Sequence, residues 1–331
     1  MNSKRFNALQ DWLQPHLSIE ASKYVAITND ASFRRYFRVT LADRAYIVMD
    51  APPEKENCRP FVDIAQRLQA SGLNAPRIVA SDLEQGFLLL TDLGSQLYLS
   101  ALNEETQVEN LYGDALAALE IMQTRTYSEG LPLYDHALLH REMDLLTNWL
   151  VEKHLNLSLS SADQDSLEQC FELLSREALS QPQVFVHRDY HSRNLMVIPQ
   201  HNPGILDFQD AVKGPVTYDL VSLLRDCYIA WPHERVNGWA KHYYKQAQQA
   251  GILEGVVDET EFLRWFDWMG IQRHLKASGI FARLYHRDGK AGYLKDIPRT
   301  LNYIVEVGRH YPEMAFLQAL VSERVLPACQ Q

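Results

Sequence analysis

The sequence predicts an α+β protein of two lobes, a strand-rich N-terminal part followed by a mainly helical one. Three observations carry this. Short runs rich in β-branched and aromatic residues are concentrated in the stretch before Gly94. From Ser95 onward apolar residues recur at helical spacing almost throughout. A polar loop, His187 to Asn194, then interrupts those helices between two short apolar runs. The division predicted is residues 1–94 and 95–331.

In chain order, Ser3 caps a first helix with Phe6, Leu9, Trp12 and Leu13 at helical spacing. Strands follow at Tyr24 to Thr28, Tyr36 to Thr40 and Ala45 to Asp50, and Pro52-Pro53 ends the run. A helix from Arg59 buries Phe61, Ile64, Ala65 and Leu68 and stops at Ser71-Gly72. Two more strands lie near Arg77 to Ala80 and Phe87 to Thr91. Apolar stripes then mark helices through Val108 to Met122, Leu139 to Leu150 behind the cap Asp135, and Leu167 to Leu174. Helices resume at Thr217, near His233, at Thr260 and from about Pro298.

A chain of 331 residues fits about two domains at roughly 150 residues each. Its net charge of −10 sets a nucleic-acid partner aside. No stretch approaches 18 consecutive apolar residues and the N-terminus has no apolar leader core, so a cytoplasmic protein with no membrane contact is expected. Cys58, Cys170, Cys227 and Cys329 have no metal-binding spacing; Cys170 and Cys227 fall on apolar helix faces and read as buried free thiols. Nothing points to an obligate protein partner.

The chemistry concentrates in Val184-Phe-Val-His-Arg-Asp-Tyr-His-Ser-Arg-Asn-Leu-Met-Val-Ile198, a strand, a polar loop and a second strand. A turn from Pro199 to Gly204 and a third strand ending on Asp207 follow. Polar groups between buried strands are costly unless hydrogen-bonded or used. The order His187-x-Asp189-x-x-x-x-Asn194, then Asp207, is the one phosphoryl transfer needs: a carboxylate for the hydroxyl proton, then an amide and a carboxylate for magnesium. The bland alternative for Asp189 is a turn aspartate capping its own backbone.

Together with Ile205-Leu-Asp-Phe208 and Gly214-Pro-Val-Thr-Tyr-Asp-Leu220, this resembles the aminoglycoside phosphotransferase branch of the protein-kinase-like fold. Closer still is the resemblance to bacterial anomeric kinases of N-acetylmuramate and N-acetylglucosamine, enzymes of cell-wall recycling. It rests on Asp30-Ala-Ser-Phe-Arg-Arg-Tyr36, Tyr46-Ile-Val-Met-Asp-Ala-Pro-Pro53, Asp207-Phe-Gln-Asp-Ala211, Leu223-Leu-Arg-Asp-Cys-Tyr228, Arg273-His-Leu-Lys276 and Gly279-Ile-Phe-Ala-Arg-Leu284. The resemblance implies a bilobal fold, an antiparallel sheet lobe with one helix and a helical lobe, using ATP and Mg2+ to phosphorylate the C1 hydroxyl of an amino sugar. It makes Asp189 the catalytic base, Asn194 and Asp207 the metal ligands, and His187 and Asp219 the supports of the loop.

Two departures from the kinase pattern concern the phosphates. No glycine lies in Asn29 to Arg35, so the Ser32 hydroxyl and the backbone around Phe33 and Arg34 are the candidates for covering them. The strand position that carries a lysine in kinases is Met49, and magnesium, Arg34, Arg35 or Lys55 are the candidates for the missing charge. The adenine is expected against Leu90 to Gly94, using backbone groups near Thr91 and Leu93.

For the acceptor, Ile271 to Lys290 carries Arg273, Lys276, Arg283, Arg287 and Lys290 against the one acid Asp288. That suits a neutral or anionic sugar better than a polycation, unless the face is merely solvated. Gln209, Asp210, Arg225 and Arg273 are the candidate substrate contacts. Trp265-Phe266 with Trp268 reads as core more readily than as a cage for a cation. Two alternatives stand at this point: a kinase for aminoglycosides, choline or amino alcohols, and a nucleotide-binding scaffold without activity.

Overall fold

The structure is a computed structural model that describes residues 3–17, 24–27, 33–41, 44–253, 255 and 257–330. The N-terminal elements are α1 (Ser3–Leu13), β1 (Tyr24–Ile27), β2 (Arg35–Thr40), β3 (Ala45–Asp50), α2 (Arg59–Ala70), β4 (Ile78–Asp82) and β5 (Phe87–Thr91). The strands form one antiparallel sheet in the order β1-β2-β3-β5-β4. Alternation along β3 assigns its two faces. Tyr46 and Val48 pack with Leu9 and Leu13 of α1, whereas Ile47 and Met49 join the core that holds Phe61 and Ile64 of α2. Each face of the sheet is thus covered by one amphipathic helix.

The rest is α3 (Tyr98–Ala101), α4 (Glu105–Arg125), α5 (His136–Leu145), α6 (Ser161–Ser180), α7 (Tyr218–Leu224), α8 (His233–Gln249), α9 (Glu259–Asp288) and α10 (Ile297–Gly308), with short strands between α6 and α7. Asp135 caps α5 by accepting from Leu138 N, and Ser160 with Asp163 forms a capping box at α6. At 30 residues α9 runs about 45 Å and packs against α5, α6, α7 and α10. The short strands are β6 (Gln183–Val186), β7 (Leu195–Met196), β8 (Gly204–Ile205) and β9 (Val212–Pro215), joined as β6-β9 and β7-β8 antiparallel pairs.

Strand β9 departs from expectation, because Val212-Lys-Gly-Pro215 carries two residue types that strands avoid. It survives as a short partner of β6, with Pro215 at the end of the ladder opposite Gln183. The helix expected to run through Leu150 instead changes to a π-helix at Leu146–His154. At that junction α9 comes so close that a Cβ on Gly279 would lie 2.2 Å from the Leu145 carbonyl carbon. Trp265, Phe266 and Trp268 are buried core residues. All four cysteines are free, three of them buried, and no helix among the described residues is long and apolar enough to cross a membrane.

The Gly279 contact is with backbone, which has no rotamer to yield. Gly279→Ala is expected to cost about 3 kcal/mol, the upper end for overpacking, and to lower Tm by roughly 5–10 °C in a thermal melt. An unchanged Tm would show slack between α5 and α9.

Candidate active site

Strand β6 delivers the chain to His187 and β7 takes it away after Asn194, so the polar loop is held at both ends. Asp219, at the start of α7 and inaccessible to solvent, accepts from the backbone N–H of His187 at 2.6 Å and of Arg188 at 2.9 Å. Arg188 lies in the left-handed region at φ 77° and Asp207 at φ 61°. Such positions cost about 1–3 kcal/mol each and persist only where the surroundings enforce them.

His187 is a buried neutral brace. Its Nδ1 accepts from Asp189 N at 3.2 Å, which leaves the proton on Nε2 to donate to the Leu206 carbonyl at 3.0 Å. Burial lowers its pKa, in keeping with that state. The carbonyl of Asp189 accepts from His191 N and from Asn194 Nδ2, both at 3.0 Å. Ser192 N and Oγ donate to the buried Asp226 at 3.0 and 2.5 Å. The backbone of the loop is spent on fixing itself, while no donor among the described residues is spent on the Asp189 carboxylate oxygens.

Asp207 stands across from the loop, bonded by Gln209 Nε2 at 2.9 Å and approached by Asn194 Nδ2 at 3.4 Å. Burial and the neighbouring Asp189 push its carboxyl upward even though solvent reaches it. Two carboxylates that raise each other's cost of charge, beside an amide whose oxygen has no donor among the described residues, form a hard-oxygen donor set that suits Mg2+. Asn194 and Asp207 are the residues that would hold it.

The surroundings of Asp189 are cationic. Burial opposes its charge, but Lys276, His191, Arg188 and Arg273 outweigh burial and hold its carboxyl below the usual range. Two of these groups, Arg188 and Lys276, are anchored by Glu142, which accepts from Tyr134, from Arg188 and, at 3.1 Å, from Lys276. Glu142, Asp226 and Lys276 therefore build the site without belonging to the loop. Glu142 had no local signal in the sequence, since only the fold brings α5 against Arg188.

Of the expected acceptor contacts, Arg273 fits the pocket best. It is 5% exposed, its Nε has no hydrogen-bond partner, and its Nη1 makes only a 3.6 Å contact with Cys227 Sγ. His191 Nδ1 and Gln209 Oε1 are likewise buried and unpartnered. Buried polar atoms are normally satisfied, so unpartnered atoms on Arg273 and His191, which act on Asp189, and on Gln209, which is bonded to Asp207, mark a place built for a polar ligand. Asp210 is exposed, and its carbonyl accepts from Arg188 Nη1 at 3.4 Å. Arg225 is placed elsewhere: it is buried on Asp267 at 2.5 Å and over the Phe266 ring. Of the basic face expected on α9, Arg273 and Lys276 are buried rather than solvated.

On the nucleotide side Ser32 lies outside the described residues. Phe33 is exposed, with its N–H on Glu56 Oε1 at 3.1 Å, and Arg34 pairs with Glu56 Oε2 at 3.1 Å. Thr91 is occupied by Arg77, its N–H donating to the Arg77 carbonyl and its Oγ1 accepting from Arg77 N. Leu93 makes no backbone hydrogen bond among the described residues, which leaves its peptide groups for a ligand. Leu88 and Leu90 are buried in the sheet core.

This geometry agrees with what the chain is similar to. It is 46% identical to the N-acetylmuramate/N-acetylglucosamine kinase of Pseudomonas putida, over 96% of each chain, and 42% identical to that of Neisseria meningitidis, over 96% and 95%. Similar solved structures include the ADP-bound aminoglycoside phosphotransferase APH(2'')-Ib, with a TM-score of 0.61 at 14% identity over 89% of this chain and 97% of that one. Choline kinase LicA of Streptococcus pneumoniae gives 0.60 at 13%, over 90% and 97%. These likenesses establish the bilobal protein-kinase-like fold, and the kinases among the relatives leave the inactive-scaffold reading without support. With the phosphotransferase enzyme family matching residues 23–265, and a free carboxylate set between an amide, a second carboxylate and buried cations, the chain belongs to that family of phosphotransferases.

Proposed function

We propose that this phosphotransferase uses ATP and Mg2+ to phosphorylate an amino sugar, at the C1 hydroxyl of N-acetylmuramate and N-acetylglucosamine. The nucleotide lies against residues 1–94 and the acceptor against the helical part, 95–331. The single observation that carries the acceptor class is the charge around Asp189. Lys276, Arg273 and Arg188 all act on it, and a polycation such as an aminoglycoside would be repelled there. The names of the relatives point the same way.

Asp189 accepts the hydrogen bond of the sugar hydroxyl and aims its oxygen at the terminal phosphorus. As that O–P bond forms, the bond to the β-phosphate oxygen breaks and its electron pair stays with ADP. The hydroxyl proton passes to Asp189 and from there to solvent. A carboxylate with a low pKa is a weak base, so its contribution is chiefly orientation in a loose transition state. Bound at Asn194 and Asp207, magnesium would supply charge stabilisation on the phosphates. Arg273, with His191 and Gln209, receives the polar groups of the sugar, and the lactyl carboxylate of N-acetylmuramate is the partner the Arg273 guanidinium lacks.

ADP release with ATP, magnesium and each sugar tests this, with 31P NMR identifying the phosphorylated carbon. Turnover of kanamycin or choline with silence on both sugars would overturn the assignment. Asp189→Asn is expected to lower kcat by about 10²–10⁴ with the fold intact. For Arg273→Gln, losing a charge-assisted bond of about 1.5–3 kcal/mol should raise KM for N-acetylmuramate at least tenfold. KM for N-acetylglucosamine, which lacks the carboxylate, should move far less; equal loss on both sugars would remove the lactyl contact from the scheme.

A further inference from the structure

The strand that offers a lysine to the phosphates in kinases offers Met49 here, fully buried in the core beside α2. Several cations of the N-terminal sheet are nearby, and the register separates them. Met49 pairs with Tyr36 across β2 and β3, and Asp50 pairs with Arg35. Side chains alternate along β2, so Arg35 falls on the face of Asp50 while Tyr36 shares the face of Met49. Arg34, two residues before Tyr36, returns to that same face.

The contacts agree with the register. Arg35 is bound to Asp50, which also accepts from Arg5 Nε at 2.8 Å, so both arginines serve a buried carboxylate on the α1 side. Arg38 grips Asp92 at 2.6 and 3.0 Å. Lys55 rests over the exposed Phe33 ring at 4.4 Å. Arg34 turns inward with a side chain only 9% exposed, pairs with Glu56, bonds Tyr36, and its charge reaches Asp207. The same Glu56 carboxylate takes the Phe33 N–H, so one acid fixes both the arginine and the backbone that carries it.

We propose that Arg34, held by Glu56, takes the place of the strand lysine and binds the phosphates of the nucleotide. The arrangement keeps the acid–base pair that kinases use and moves its cation from the strand to the preceding connection. A guanidinium is a planar fork with five N–H donors, a shape that matches phosphate oxygens and lets one arginine serve a carboxylate and a phosphate together. The inference rests on the nucleotide-dependent reading above but not on the identity of the sugar.

Titration calorimetry without any sugar tests it, using a non-hydrolysable ATP analogue with magnesium, and adenosine alone. Arg34→Ala is expected to weaken the triphosphate at least tenfold and leave adenosine affinity unchanged, with Arg34→Lys recovering part of the loss. Glu56→Gln, which retains the side-chain shape, should weaken the triphosphate in the same selective way. Arg35→Ala should lower Tm without selective loss of the triphosphate. Unchanged triphosphate binding in Arg34→Ala, or an equal loss of adenosine, would overturn the proposal. A wild-type chain that binds neither ligand would instead sink the kinase reading itself.

Discussion

Asp219 lies beneath the polar loop, shut off from solvent, and takes the N–H groups of His187 and Arg188 on its two oxygens. Everything the loop does depends on that grip. It holds Arg188 in a left-handed conformation that an L-residue does not choose, and that twist turns Asp189 out of the path of β6. Even with both bonds, burial pushes the Asp219 carboxyl up to about 6, so keeping it ionised costs roughly 3 kcal/mol relative to water. Because the folded value exceeds the unfolded one, that cost is absent well below pH 4 and grows as pH rises toward 6. The rest of the fold sustains it, since a neutral residue would leave two buried N–H donors without a strong acceptor.

A second carboxylate, Glu142, does for charge what Asp219 does for backbone. Burial would raise its pKa, but Lys276 and Arg188 hold it ionised and below its usual range. Removing either partner from such a buried cluster costs about 3–5 kcal/mol, because the remaining charge is stranded. The cluster does not neutralise the pocket, for Glu142 faces two cations while Arg273 has no carboxylate on it. Asp189 is therefore an ionised carboxylate with cations around it, and the proposed preference for a neutral or anionic acceptor rests on them.

How much of this was legible in the sequence depends on how local each signal is. His187, Asp189, Asn194 and Asp207 belong to one loop and the strand after it, and their spacing alone brings them together. The helical periodicity of Phe61, Ile64 and Leu68 was equally local. Arg225 looked like Arg273, yet one is buried on Asp267 and the other acts on Asp189, because that choice is made by packing in the helical part. Glu142, distant in the chain, had no signal at all. Arg34 and Arg35 are adjacent and chemically identical, so only strand register distinguishes them. The π-helix after Leu145 answers to the close passage of Gly279, a tertiary contact with no local pattern.

The two halves of the site are also mechanically joined. Glu56 stands just before α2, and Phe61 on that helix meets the Phe208 ring at a centroid distance of 4.8 Å. Phe208 follows Asp207 directly, so a displacement of α2 moves the acid that holds Arg34 and the wedge beside Asp207 at once. Aromatic packing of this kind contributes about 0.5–1.5 kcal/mol beyond burial, enough to favour one arrangement without locking it. The proposed phosphate grip and the proposed magnesium site are in this way both set by the position of one helix. In the proposed reaction the sheet lobe would then align the nucleotide with Asp189 as a unit, because Phe61 and Phe208 share a single packed core.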